Sequence, residues 1–485
     1  MTFDLKKSTL NVLLACGIIC SCGGEENGPN APNGNGNLET VPVNITLDQS
    51  TTFQEIDGFG FFGARDVWWT GNRENLYSDT WADLVIRDLG ITIWRNEYYP
   101  PATATQGQDA DWEKQLPVVR GLRDKANQHQ VDLKFIFTVW SPPADFKCRE
   151  ANNERFPGEP HPEGTKQGGT LDPNKYEAFG NWLGDGIQLY ANEGIEVYAI
   201  SPQNEPLFRQ PFNSCYYRPA WYNQMLVNSI PIVKARFPEV KVFGSENMLA
   251  IEAGDDGQFF YHEALKNDPE AAAMIDIQAI HGYVDGVVPS STSQMVRLWN
   301  DFQQKYVTAM PDPVWMTETS SYYEDWTTTD NRSGALDLGL AIHSALSDGN
   351  ASAWVWWQGA QTDGMSEFNL MRGEERGKRY HVSKHFYRYI RPGAKRIQLE
   401  LEQEDSDLFA SAFVHESRDI YTIVLINAGS DLLEVNLQGS GLPSSFESFA
   451  SSATLNCEKG EDINSGKVLI SPKSIITLVS GDVYE

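Results

Sequence analysis

Positive charge is scarce in this chain of 485 residues: 38 Lys and Arg stand against 66 Asp and Glu, a formal charge of -28. Such a surface repels a phosphate backbone, which argues against nucleic acid as a partner. Cysteine is scarce too, six in all, and no C-x-x-C, H-E-x-x-H or EF-hand spacing occurs. The sequence therefore supports no protein metal site and calls for no cofactor. Long apolar runs are missing, since the stretch from Leu10 to Cys20 is too short to span a bilayer. No internal repeat is found, which leaves a repeat architecture without support.

Hydrophobic residues make up 41% of the chain, enough for one large core plus a smaller one. Aromatics reach 12%, with 14 Trp and 19 Tyr; that excess suits either a large aromatic core or a surface that stacks on flat faces such as sugar rings. Lys6 and Lys7 precede the short apolar stretch, as in a targeting signal. The segment Ile19-Cys20-Ser21-Cys22-Gly23-Gly24 resembles a bacterial lipobox, with Cys22 as the acylated residue and Cys16 as a competing candidate. Residues 1–22 are thus expected to be a lipoprotein signal, and the Gly, Asn and Pro run over 23–40 a flexible tether. Glu25 and Glu26 resemble the acidic export signals of Bacteroidetes surface lipoproteins. An exported outer-membrane or cell-surface protein, lipid-anchored through Cys22 and monomeric, is the expectation. Of the other cysteines, Cys148 and Cys215 follow the third and fourth strand candidates at one barrel mouth, which predicts a disulfide between them and leaves Cys457 unpaired.

From residue 58 to 391, short apolar runs alternate with longer amphipathic ones. Eight strand candidates start near Gly58, Ile91, Asp132, Val197, Val240, Ile277, Val314 and Ser352. Segments whose apolar residues recur at three and four separate them, so the pattern is that of strands with crossover helices. This predicts an α/β fold, a (β/α)8 TIM barrel whose active site lies at the C-terminal ends of its strands. From residue 392 to 485 the runs alternate apolar and polar between Gly, Ser and Asn turns, which reads as an attached antiparallel β-sandwich side domain. Residues 41–57 alternate as well and are expected to add a strand to it.

Polar and aromatic residues crowd the predicted strand ends: Arg95, Trp140, Asn204, Glu205, His281, Tyr283, Glu318, Trp356 and Trp357. A buried carboxylate is costly unless paired or hydrogen-bonded, so Glu205 and Glu318 at one mouth need a reason. Structural ion pairs with Arg95 are one. Glycoside hydrolysis is the other, because it takes one carboxylic acid to protonate the leaving oxygen and one carboxylate to attack the anomeric carbon.

The motifs favour the second. Ile56-Asp57-Gly58-Phe59-Gly60, Trp140-Ser141-Pro142-Pro143, Ser201-Pro202-Gln203-Asn204-Glu205-Pro206, His281-Gly282-Tyr283, Trp315-Met316-Thr317-Glu318, Val355-Trp356-Trp357 and Ser383-Lys384-His385-Phe386 to Gly393 occur in this order. Together they resemble glycoside hydrolase family 30 over nearly all of residues 45 to 485. The resemblance implies a retaining mechanism with Glu205 as acid/base and Glu318 as nucleophile. It further implies that Asn204 bonds the sugar 2-hydroxyl, Arg95 keeps Glu318 ionised, and the charge of Glu318 raises the pKa of Glu205. Trp140 with Trp356 or Trp357 would wall the sugar subsite, and His281 and Tyr283 would orient Glu318. Adjacent strand residues point opposite ways, so one of the two tryptophans must face the helices.

The implied substrate is a β-linked polysaccharide, with a xylanase-like endo-enzyme foremost. A β-1,6-glucanase or galactanase, an exo-acting β-glycosidase and a non-catalytic glycan-binding lipoprotein are the alternatives. Glucuronate-dependent members carry a Tyr-Ile-Arg-Arg-type stretch after the Trp pair, where this chain has Gln358-Gly359-Ala360-Gln361. Arg372, Arg376, Lys378 and Arg379 form a basic cluster that offers another route to a uronate, unless Glu374 and Glu375 neutralise it.

Overall fold

The structure, a computed structural model, describes residues 40–63, 77–98, 108–148, 168–209, 213–254, 259–283, 294–328, 332–361, 364–402, 407–464 and 466–484. The expected signal segment, Cys22 and the tether up to residue 39 lie outside the described residues, as do residues 149–167.

Strand β1 (Val41–Glu55) comes first. The next eight are β2 (Gly58–Phe62), β3 (Ile93–Glu97), β4 (Lys134–Thr138), β5 (Val197–Ser201), β6 (Lys241–Met248), β7 (Ile277–His281), β8 (Val314–Glu318) and β9 (Ala351–Trp356). They close into a barrel in sequence order, β9 pairing back in parallel with β2. Each coincides with one of the eight apolar runs, and the expected α/β barrel is the fold observed. Strand alternation sorts the side chains: Ile93, Ile136, Phe243, Ile277, Trp315 and Val355 fill the barrel, while Trp94, Phe137, Ile200, Val242, Ile280 and Trp354 pack against the helices. Gly60 lets β2 approach β3, since a Cβ there would lie 1.8 Å from the Ile93 carbonyl oxygen. The crossover helices present the expected stripes. Helix Tyr176–Asn192 buries Tyr176, Phe179, Leu183, Ile187 and Tyr190. Gly180 brings it against helix Pro219–Arg236, where a Cβ would sit 2.5 Å from the Ser229 carbonyl oxygen.

The N-terminal mouth of the barrel is plugged. Asp57 Oδ2 accepts from Trp315 Nε1 at 2.8 Å and from Ser352 Oγ at 2.9 Å, and Lys134 Nζ donates to the Asp57 carbonyl at 2.7 Å. Tyr198 stacks on Trp315 at 6.1 Å, with the ammonium groups of Lys134 and Lys241 5.3 and 5.4 Å from its ring centre.

After β9 come three short strands, β10 (Ala360–Gln361), β11 (Met371–Arg372) and β12 (Glu375–Arg376). The side domain follows with β13 (Lys395–Leu401), β14 (Leu408–His415), β15 (Ile420–Asn427), β16 (Leu433–Gly439), β17 (Glu447–Ser451), β18 (Asn456–Lys459), β19 (Lys467–Ile470) and β20 (Ser474–Val479). With β1 they form one curled sheet in the order β18-β17-β20-β15-β14-β13-β1-β16-β19. All its pairings are antiparallel except β1 with β16, which is parallel. Strand β15 is buried on both faces: Tyr421, Ile423 and Leu425 enter the core of the side domain, Val424 and Ile426 the core shared with the barrel. Where the sheet meets helix Lys378–Tyr387, His385 bonds Thr477 Oγ1 and Ser451 Oγ, each at 2.8 Å.

The predicted disulfide is not formed. Cys148 and Cys215 are buried thiols, and Cys148 Sγ lies 3.8 Å from the Leu171 carbonyl oxygen. Neighbouring strand ends bring the two segments close, as the Tyr216 N–H to Gly169 carbonyl bond at 2.7 Å attests.

Candidate active site

The C-terminal mouth gathers the predicted residues. Arg95 on β3, wholly buried, is its hub: one terminal nitrogen donates to Glu318 Oε2, the other to Asn204 Oδ1 at 2.8 Å and Glu246 Oε1 at 2.9 Å, and Nε reaches Thr138 Oγ1 at 3.2 Å. Glu318 is the last residue of β8, and Tyr283 donates to its Oε1 at 2.8 Å. Glu205 follows β5 on a backbone with φ of 42°, left-handed for a non-glycine residue and a strain of the kind that collects at functional sites. His281 ends β7; its Nδ1 lies 3.1 Å from Glu205 Oε1 and its Nε2 3.5 Å from Glu246 Oε1.

Oxygens of Glu205 and Glu318 and a ring nitrogen of His281 all lie within 4.8 Å of one another. Among the described residues this is the one His and carboxylate set close enough to hold a metal ion, but Arg95, Tyr283 and His281 already engage its oxygens. A pair of carboxyl groups ~5–5.5 Å apart suits attack by one of them, whereas ~6.5–9.5 Å leaves room for an intervening water.

The charges are tightly balanced. Burial alone would push the His281 imidazole down, but Glu318, Glu205 and Glu246 together push it up to about 9, so it carries a proton at neutral pH. Burial favours the neutral form of Glu246, yet Arg95 and His281 hold its carboxyl below the ordinary value. Arg95 lies beside Glu318 and pulls its carboxyl down, as expected. Burial pushes its carboxyl up, and the cations of His281 and Arg95 only partly offset this. Burial and the Glu318 charge hold the Tyr283 phenol well above its usual value, which keeps it a donor.

An aromatic wall adjoins the pair. Phe62 stacks on Trp357 at 4.3 Å and meets Trp140 edge-on at 5.4 Å, and the Arg95 guanidinium lies 4.9 Å from the Trp140 ring centre. Trp356 takes no part in this wall: it is wholly buried, donates through Nε1 to the Phe368 carbonyl at 2.6 Å and packs near Tyr322. Strand parity turned it to the helix side, so as a substrate contact it is corrected in favour of Trp357. The basic cluster is neutralised. Arg372 pairs with the exposed Glu375, and Arg376 lies 3.5 Å from Asp88. Arg379 is buried on Glu324 and on the Tyr322 and Asn369 carbonyls. Glu246 is the residue that sequence reasoning missed. Its one signal was a carboxylate at the end of the run Val240 to Asn247, the same placement that singled out Glu318.

No family model matches the chain. It is 25% identical over 461 residues to glucuronoxylanase XynC of Bacillus subtilis strain 168, an alignment covering 94% of this chain and 93% of that one. The fold is shared with solved structures at lower identity. The glycoside hydrolase family 30 subfamily 8 xylanase Xyn30A of Clostridium acetobutylicum superposes with a TM-score of 0.69 at 22% identity, over 90% of this chain and 99% of that one. An endo-β-1,6-glucanase gives 0.67 at 17% identity, over 90% and 93%. A curled sheet beside a parallel barrel, with two carboxylates meeting at its C-terminal mouth, defines the class: the chain is a glycoside hydrolase. Its motifs resemble those of glycoside hydrolase family 30, and its fold is that of the family's xylanase Xyn30A.

Proposed function

We propose that the chain is a retaining, endo-acting hydrolase of a β-1,4-xylan-type polysaccharide, with Glu318 as nucleophile and Glu205 as acid/base. The observation that carries this is the approach of their oxygens to within 4.8 Å at the barrel mouth. Glu318 attacks the anomeric carbon while Glu205 gives its proton to the departing oxygen; a glycosyl ester forms and the leaving sugar is freed. Glu205 then takes a proton from water, which attacks the same carbon and releases Glu318. Cationic His281 ties down Glu205 Oε1, and Tyr283 and Arg95 steady Glu318 through each step. Asn204, held by Arg95, is suited to the sugar 2-hydroxyl, and Trp140 and Trp357 to its ring faces.

Glucuronate is not part of this reading. Gln358 is buried and Gly359 lies against the Phe61 ring where an arginine stretch would be needed, and the basic cluster is occupied by carboxylates and carbonyls. The enzyme acts outside the cell as a lipoprotein, acylated at Cys22 and tethered by residues 23–40. This rests on the lipobox-like sequence alone. Digestion of glucuronoxylan, arabinoxylan, β-1,6-glucan and β-1,6-galactan, with product sizes followed over time, tests the substrate. Comparable release of oligosaccharides from both xylans is expected; activity confined to a β-1,6-glycan, or to single-sugar products, would overturn it.

A further inference from the structure

A cavity of about 580 Å³ lies on the catalytic face. Its walls include Tyr216 and Arg218, which lead from β5 into helix Pro219–Arg236, and Phe259 and Phe260, which follow β6 and lead into helix Tyr261–Lys266. Helices that follow barrel strands begin at the C-terminal mouth, so these residues sit on the same face as Glu205 and Glu318, on the β5 and β6 side. Two bonds join this wall to the reacting centre. The Tyr217 N–H donates to the carbonyl of Pro206, the residue after Glu205, at 2.7 Å, and Tyr261 Oη donates to the Tyr217 carbonyl at 2.6 Å.

The side of the site follows from the chemistry. An acid that protonates the leaving oxygen must lie against the leaving group, so the half of the glycan that departs extends past Glu205 toward the segments after β5 and β6. The lining suits a sugar there. The half-buried Tyr216 ring meets Phe259 at 6.4 Å and Trp221 at 6.1 Å, both edge-on, which fixes its plane. Arg218 lies over Trp221, 5.0 Å from the ring centre. Glu263 accepts from Asn267 Nδ2 at 2.8 Å and faces Lys266 at 3.5 Å. One arginine and one carboxylate line the cavity, a balanced pair of hydroxyl partners, and the Arg209 guanidinium lies over the Tyr216 ring, 4.9 Å from its centre. The volume lies within the ~300–1,000 Å³ of small-ligand sites.

We propose that this cavity is a subsite for neutral sugar residues on the leaving-group side of the scissile bond, beyond the residue that Glu205 touches; this rests on the assignment of Glu205 as acid/base. Binding energy gained there would raise kcat/KM only for substrates long enough to reach it. The test uses oligosaccharides of the glycan that the wild-type enzyme cleaves best in the panel above. An aryl glycoside of the same sugar, whose leaving group does not reach the cavity, is the control. Tyr216→Ala and the exposed Arg218→Ala should each lower kcat/KM on the long oligosaccharides roughly threefold to tenfold more than on the aryl glycoside, the scale of one lost aromatic contact. Tyr216→Phe should recover most of the loss. Equal losses on both substrate types would overturn the subsite while leaving the hydrolase reading intact, and a loss confined to uronate-bearing oligosaccharides would overturn its neutral character. A wild-type enzyme inactive on every glycan and aryl glycoside would overturn the parent reading and this one together.

Discussion

The two mouths of the barrel are built from the same kinds of residue and do opposite things. At the N-terminal mouth one carboxylate, two lysines, a tyrosine and a tryptophan close the barrel, and Asp57 Oδ2 is fully engaged by Trp315 and Ser352. At the C-terminal mouth three carboxylates share two cations, Arg95 and His281, and the Glu205 and Glu318 side chains keep 11% and 7% of their surface open. Burying charge is thus common to both ends. What separates them is that the upper network holds more carboxylates than cations and leaves two of the carboxylates partly open, where a substrate can reach them.

Removing the open carboxylates should break the comparison most severely. Glu318→Ala is expected to lower turnover of every substrate by on the order of 10⁵-fold, as loss of a nucleophile does. Glu205→Ala should cost ~10²–10⁴-fold on polysaccharide but little on an aryl glycoside whose leaving group needs no proton. Steady-state rates on both substrates check this, and equal losses of the Glu205 variant on the two would contradict the division of roles.

A smaller effect should come from the buried third carboxylate. Glu246→Gln leaves Arg95 and His281 short of one counter-charge, which should destabilise the fold by ~3–5 kcal/mol, the range for breaking a buried pair. The sign of the pH effect follows from His281, raised from 6.5 to about 9. Stability from its carboxylate partners is fully present below pH 6.5 and is lost as the pH rises through 9. In the variant that loss, and the alkaline limb of the rate profile, should move to lower pH. Denaturant midpoints across this range together with pH–rate profiles measure both; an unmoved alkaline limb would show that His281 does not depend on Glu246.

The smallest effect sharpens the contrast from the other end. Asp57→Asn weakens two hydrogen bonds to a charged acceptor and should cost about 1–3 kcal/mol, read as a lower denaturant midpoint, with kcat unchanged. A fall in kcat comparable to that of Glu246→Gln would mean that the lower plug also shapes the upper site.

The barrel was legible in the sequence because eight apolar runs and their amphipathic partners follow from strand and helix periods alone. Glu205 and Glu318 were legible because each ends such a run inside a recognisable motif, and Arg95 because it is a charged residue inside an apolar run. Glu246 was not, because Gly244-Ser245-Glu246-Asn247 carries no motif and its role exists only through Arg95 and His281, which come from other strands. The choice between Trp356 and Trp357 was known to be binary but not which way it fell, since that depends on where the strand's alternation begins. The thiol pair was not legible because topology places segments side by side, whereas a disulfide also needs a specific Cβ geometry that strand order does not encode. The parallel pairing of β1 with β16 was equally hidden, because alternation reports which face of a strand is buried and not the direction of its neighbour.

That same strand sets the order of events in biosynthesis. Among the described residues β1 pairs only with β13 and β16, and roughly 340 residues, the whole barrel, lie between β1 and β13; by the logarithmic law of loop closure so long a detour adds little to the equilibrium cost. It adds a delay instead. While the ribosome is still making the barrel, Val43, Ile45 and Leu47 belong to an apolar strand with two bare edges, the arrangement most prone to pairing with another chain. Among the described strands, the one made first waits longest for a partner.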